Sequence, residues 1–312
     1  MPEPPRGPPV SPAGSGVKFA HYRIEALLGR GGMGEVFRAT DTRLGRPVAI
    51  KIMRPERLAE DDTATRRFLR EARAASALNH PNIVTVHQID ATDEGDQYLV
   101  QELIDGRTLR ELVDDGPVAV DRVCEIGRQV AHALAAAHDA GIVHRDIKPE
   151  NVMVRADGYV KILDFGLARL MRGLDGTAAG ASTFETQEGS LTGTPAYMSP
   201  EQASEESVGS PTDVWSLGVM LYELLAGEPP FVGRTPVHVI AAVLTGHPPP
   251  LDAVRSDAPR GLVDAVHRML DKRPDGRPTA REIEGLLTDV IAGGGRLAAP
   301  AIPTRQRLTV GR

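Results

Sequence analysis

Nine residues in mid-chain, Val143-His144-Arg145-Asp146-Ile147-Lys148-Pro149-Glu150-Asn151, place the tightest limit on what this chain can fold into. They put a carboxylate, an ammonium and a carboxamide on one short loop. Phosphoryl transfer calls for that combination: a carboxylate to accept a hydroxyl proton, a cation near the γ-phosphate and an amide oxygen for a magnesium ion. A lone His-Arg-Asp could be a solvated turn. The longer string rarely arises by chance, and it has partners on both sides.

Upstream lies Leu28-Gly29-Arg30-Gly31-Gly32-Met33-Gly34-Glu35-Val36, a G-x-G-x-x-G-x-V pattern, followed by Val48-Ala49-Ile50-Lys51 and by Glu71 within helical spacing. Downstream are Asp164-Phe165-Gly166, Ser199-Pro200-Glu201 and Asp213-Val214-Trp215-Ser216-Leu217-Gly218. Their chain order is that of the protein-kinase signature set. On these motifs the chain resembles the bacterial, eukaryotic-like Ser/Thr protein kinases over about residues 19–291. The resemblance implies an α+β, two-lobed protein-kinase fold. A small β-rich N-lobe with one helix covers about 19–103 and a larger, mainly helical C-lobe about 104–291.

A chain of 312 residues can bury a sizeable core. A net charge of −6 argues against a nucleic-acid partner, which usually meets a basic face. The single Cys124 rules out an internal disulfide and reads as a packed thiol, in keeping with a reducing, cytoplasmic setting. No apolar run reaches the length of a membrane span and the N-terminus has no signal pattern, so the chain reads as soluble. Kinases of this type often continue through a linker into a membrane helix, and the sequence leaves open whether this chain is such a fragment. Residues 1–18 and 292–312, rich in small and turn-forming residues, read as flexible tails.

Hydrophobic periodicity divides the remainder. From about 22 to 54 the pattern is strand-like; 63–79 switches to helical spacing; Val84, Val86, Tyr98 and Val100 return to period two. After Asp105-Gly106 the chain is mostly helical. Val123, Ile126, Val130 and Leu134 mark an amphipathic helix, and 213–226 is apolar nearly all round, as a buried helix should be. Gly227 and Pro229 stop that helix; Thr279 with Glu282 forms a capping box for the last one.

A G-x-G-x-x-G alone also marks dinucleotide-binding folds, but those need a helix directly after the glycines. Here Glu35–Ala39 continues as a strand, so the glycines belong to a β-hairpin whose backbone can approach phosphates. The kinase resemblance then implies the remaining roles. Lys51 would meet the α- and β-phosphates, with Glu71 holding it. Asp146 would be the catalytic base and Lys148 the γ-phosphate cation; its place two residues after Asp146 resembles Ser/Thr rather than Tyr kinases. Asn151 and Asp164 would ligate Mg2+, with Mn2+ as the alternative. The adenine of ATP would lie between Val36 and Ala49 above and Met153 below, near Leu28, its edge on the backbone of Glu102 and Ile104. Gln101 resembles the gatekeeper, where a polar amide departs from the more usual bulky apolar residue.

His144 reads as a packed core histidine and Phe165 as structural. Asp213 should start the buried helix and accept backbone N–H bonds from the catalytic loop. Glu201 and Arg277 should form a buried ion pair. Arg145 before Asp146 implies activation by a phosphate in the segment 164–201, with Thr186 as the first candidate and Thr183, Ser190 and Thr192 as others. Thr194 resembles the threonine that bonds near Asp146 and Lys148. The expected activity is an ATP- and Mg2+-dependent Ser/Thr protein kinase acting on protein substrates in bacterial signalling, and on itself, in trans through a dimer. A pseudokinase scaffold and a small-molecule phosphotransferase are the alternatives. The first is opposed by the presence of Lys51, Glu71, Asp146, Asn151 and Asp164, the second by Ser199-Pro200-Glu201 and Arg277.

Overall fold

The computed structural model describes residues 18–31, 34–53, 78–92, 97–165 and 195–293. Strands β1 (Lys18–Phe19), β2 (Tyr22–Gly31), β3 (Gly34–Asp41), β4 (Arg46–Ile52), β5 (Val86–Ala91) and β6 (Gln97–Glu102) form an antiparallel sheet in the order β1-β2-β3-β4-β6-β5. Alternation gives it two unlike faces. Tyr22, Ile24, Phe37, Ala39, Val48, Ile50, Tyr98 and Val100 cluster on one. The cross-strand register puts Val36, Lys51 and Leu99, and beside them Ala49 and Gln101, on the other. The first strand begins at Lys18, one residue inside the expected tail. The rest of both tails, and the helical stretch expected over 63–79 up to residue 77, lie outside the described residues. Leu78, Asn79 and His80 already run in irregular chain.

Gly34 opens β3 with φ +134°, and a Cβ there would stand 2.0 Å from the Ile52 carbonyl oxygen. Only glycine lets β3 run that close to β4. Gly34→Ala should therefore cost about 1–3 kcal/mol of stability, read by denaturant unfolding; an unchanged midpoint would count against this close approach.

The larger part is built on helices, with α1 at Leu109–Asp114, α2 at Val120–Asp139, α3 at Pro200–Ala203, α4 at Ser210–Ala226, α5 at Pro236–Thr245, α6 at Leu251–Val254, α7 at Arg260–Met269 and α8 at Ala280–Ile291. The expected stripe of α2 is buried: Val123, Ile126, Val130 and Leu134 are at most 2% exposed. Each such side chain contributes about 1.5–3 kcal/mol of burial. Gly127 on the same helix allows close packing, since a Cβ there would meet Leu287 and Leu221 at 2.9 and 3.0 Å. Helix α4 is buried from Thr212 to Leu225 and ends on Gly227 in the left-handed conformation (φ 87°). It begins at Ser210, so Asp213 lies in its first turn rather than at its start; Pro211 carries the missed signal, being suited to the first helical turn. Thr279 and Glu282 form the expected capping box, and Thr108–Glu111 and Ser199–Gln202 cap α1 and α3 in the same way. Cys124 is buried, and that burial pushes its thiol up to about 11.

A second, antiparallel sheet of β7 (Gly106–Thr108), β8 (Val152–Arg155) and β9 (Val160–Ile162) lies in this helical part. Val84, expected in a strand, instead precedes β5. Its N–H donates to the Ile162 carbonyl at 2.9 Å, and Ile83 bridges Ile162 in parallel. Among the described residues no helix is long and apolar enough to cross a membrane.

Candidate active site

The nine-residue loop folds around Asp146. Its Oδ2 accepts from Lys148 Nζ at 2.7 Å and from Asn151 Nδ2 at 2.9 Å, and Asn151 Nδ2 also donates to the Asp146 carbonyl at 2.8 Å. Asn151 closes a short 3-10 turn begun by Pro149, which turns the chain into β8. The side chains of Asp146, Lys148 and Asn151 thus converge.

Arg145 within the loop and Asp164 near it adopt left-handed backbone without being glycine, at φ 69° and 56°. Such conformations cost about 1–3 kcal/mol each and persist only where neighbours hold them. For Arg145, Asp213 supplies that hold. Its carboxylate, fully buried, accepts from the backbone N–H of His144 at 2.8 Å and of Arg145 at 2.7 Å, as expected. It also pairs with His138 Nε2 at 2.8 Å, a partner that the sequence did not suggest. His144 is buried as expected. Its Nδ1 accepts from the Asp146 N–H at 3.2 Å, so the ring proton sits on Nε2, which donates to the Leu163 carbonyl at 2.8 Å. Its ring meets Phe165 edge-on, with centroids 4.6 Å apart. With the Leu163 N–H donating to the Asn151 carbonyl at 2.8 Å, the loop and the Leu163–Phe165 segment are fastened to each other.

Across the cleft, Lys51 Nζ on β4 donates to Asp164 Oδ2 at 2.6 Å, with Lys51 6% exposed. Glu71, Gly32, Gly166 and Thr194 lie outside the described residues, as do Thr183, Thr186, Ser190 and Thr192. Among the described residues, Asp164 Oδ1 is buried with no protein partner. Asn151 donates its amide nitrogen to Asp146, so these bonds leave its amide oxygen unused. Two hard oxygen atoms without protein donors suit Mg2+ or Mn2+, and the donor set fits the ion that the motifs imply.

The glycine segment is the hairpin of β2 and β3, pairing Gly29 with Val36 and Gly31 with Gly34. No helix follows it, which separates it from a dinucleotide-binding turn. Leu28 is half exposed at its rim, Ala49 is buried on the sheet face shared with Lys51, and Met153 on β8 pairs with Thr108. Glu102 ends β6 and leads to Ile104. The Glu102 carboxylate turns away to Lys161 Nζ at 2.6 Å and to the Thr85 N–H at 2.7 Å. Burial works to raise that carboxyl, but the bonds from Lys161 and Thr85 hold it below its ordinary value. A lysine inside the apolar run Val160-Lys161-Ile162 was the sequence signal for this missed link.

The expected Glu201–Arg277 pair is present and bidentate, at 2.7 and 2.8 Å, and buried. Thr212 Oγ1 adds a bond to Glu201 at 2.7 Å. Burial works to raise the Glu201 carboxyl; Arg277 and Thr212 bring it below its ordinary 4.5. A lowered folded value means stability that is complete above 4.5 and lost as pH falls through that folded value. Glu201→Gln should accordingly flatten the acid limb of melting temperature against pH; an unaltered limb would show that other carboxylates carry it.

The protein kinase domain family model matches residues 22–285. The chain belongs to the protein kinase family. The kinase is 42% identical to the serine/threonine-protein kinase PknB of Mycolicibacterium smegmatis over 277 residues, which is 87% of this chain and 43% of that protein. It is 40% identical to the serine/threonine-protein kinase pkn3 of Myxococcus xanthus over 268 residues, 84% of this chain and 48% of that one. The chain thus spans less than half the length of these relatives. Among solved structures, the PknI kinase domain of Mycobacterium tuberculosis superposes with a TM-score of 0.68 at 30% identity, covering 88% of this kinase and 98% of that chain.

Proposed function

We propose that this kinase transfers the γ-phosphoryl group of ATP to serine or threonine hydroxyls of protein substrates in bacterial signalling, in the cytoplasm. The observation that carries the reading is the convergence of Lys148 and Asn151 on the Asp146 carboxylate. Asp146 orients the acceptor hydroxyl and takes its proton as the new O–P bond forms and the bond to the β–γ bridging oxygen breaks. Lys148 neutralises charge on the transferring group, and Lys51 binds the inner phosphates. Asn151 and Asp164 would hold Mg2+, or Mn2+, which supplies charge neutralisation on the phosphates when bound. Leu28, Gly29, Gly31, Gly32, Gly34, Val36, Ala49 and Met153 enclose the nucleotide, with the backbone of Glu102 and Ile104 at its base edge.

Relatives named as serine/threonine-protein kinases support the acceptor class. The kinase phosphorylates its own segment between Asp164 and Glu201, first at Thr186, in trans between two copies, and Arg145 receives the new phosphate. Incubating the purified chain with ATP and Mg2+ tests the reading: phosphothreonine within 177–192, and phosphate on a generic protein substrate, are the expected products. Neither product, under conditions where the chain is folded, would reject it.

A further inference from the structure

Gln101 is 6% exposed, and its Oε1 is buried with no hydrogen-bond partner among the described residues. An unpaired buried acceptor is costly, and a methionine would fill similar volume without that cost. Its position says what could repay it. Gln101 stands directly across from Ala49 on β4, and two residues along β6 from Leu99, the partner of Lys51. Cross-strand partners have Cβ atoms about 5 Å apart on the same face. The carboxamide therefore belongs to the sheet face that carries Lys51, not to the apolar face of Ile50 and Val100. The next residue is Glu102, whose side chain is turned away to Lys161 and whose backbone is left as the neighbour of Gln101.

We infer that Gln101 reads the N6/N7 edge of the adenine, making it a specificity-determining residue for the nucleotide. A carboxamide presents one acceptor and one donor side by side, and the adenine N6–H and N7 are their complement. Oε1 accepts from the N6 amino group while Nε2 donates to N7. Guanine offers two acceptors, O6 and N7, on that edge and leaves Oε1 unpaired. The backbone of Glu102 and Ile104 would take the other edge of the base, so the two hydrogens of N6 are shared between Gln101 and the chain that follows it. The inference rests on the ATP-dependent reading above.

Titration calorimetry of the whole chain with ATP and with 7-deaza-ATP, both with Mg2+, tests it on the wild type, Gln101→Met and Gln101→Leu. The wild type is expected to bind ATP about five- to tenfold more tightly than 7-deaza-ATP, the worth of one hydrogen bond. Both variants should bind the two nucleotides equally and melt no lower than the wild type, having lost an unpaired buried acceptor. Equal binding of the two nucleotides by the wild type, or a preference retained in the variants, would overturn the inference and leave the proposed function standing. A wild type that binds neither nucleotide would overturn both.

Discussion

Asp146→Asn should slow phosphate transfer between about a hundredfold and ten-thousandfold, the usual worth of a positioned acid–base group, with nucleotide affinity unchanged. The geometry gives the reason for both halves. Asp146 Oδ2 already takes bonds from Lys148 and Asn151, so the carboxylate is fixed in orientation before any acceptor arrives. An asparagine keeps one oxygen for these donors but can take no proton. The nucleotide contacts assigned to Lys51 and Asp164 lie on other elements and are untouched. Single-turnover transfer beside nucleotide titration separates the effects. A variant that transfers phosphate at the wild-type rate would remove Asp146 from the mechanism.

Arg277→Ala should destabilise the kinase by about 3–5 kcal/mol, because it strands the Glu201 carboxylate in a dry site. The loss goes beyond one ion pair. Arg277 also donates to the carbonyls of Pro211, Asp271 and Lys272, at 2.9, 2.8 and 3.2 Å, and these would lose their donor. Lysine cannot replace it, since a single ammonium lacks the planar fork that meets both Glu201 oxygens. Replacing both partners, as Glu201→Leu with Arg277→Met, should cost less than Arg277→Ala alone, because no buried charge remains unpaired. Chemical denaturation of the single and double variants decides this, and a double variant weaker than the single one would mean that the stranded Glu201 carboxylate is not what destabilises Arg277→Ala.

Local patterns in the sequence reached much of this. The glycine hairpin, the stripe of α2, the stop at Gly227 and the cap at Thr279 are each written within a few neighbouring residues, so periodicity and capping chemistry expose them. The Glu201–Arg277 pair and the bonds from the catalytic loop to Asp213 came from the resemblance, not from pattern. What stayed hidden has two physical causes. Strands of three or four residues, such as β7 and β8, are too short to establish a period. Polar links between distant segments, such as His138 with Asp213 or Lys161 with Glu102, leave no local mark beyond a charge in an apolar run. Arg110 is the extreme case. Its guanidinium reaches Glu150, Glu223 and the Tyr197 hydroxyl, drawn from three separate stretches of chain.

The parallel bridge between Ile83 and Ile162 changes where the molecule can bend. Residues 82–84 precede β5 in sequence, yet their backbone is laced to β9. Lys161 clasps both the Ile83 carbonyl and the Glu102 carboxylate, so the two strands that cross between the parts, at Thr85–Val86 and at Glu102, leave from one anchored corner. Any opening of the cleft over Asp164 is therefore expected to turn about that corner, beside which Gln101 sits.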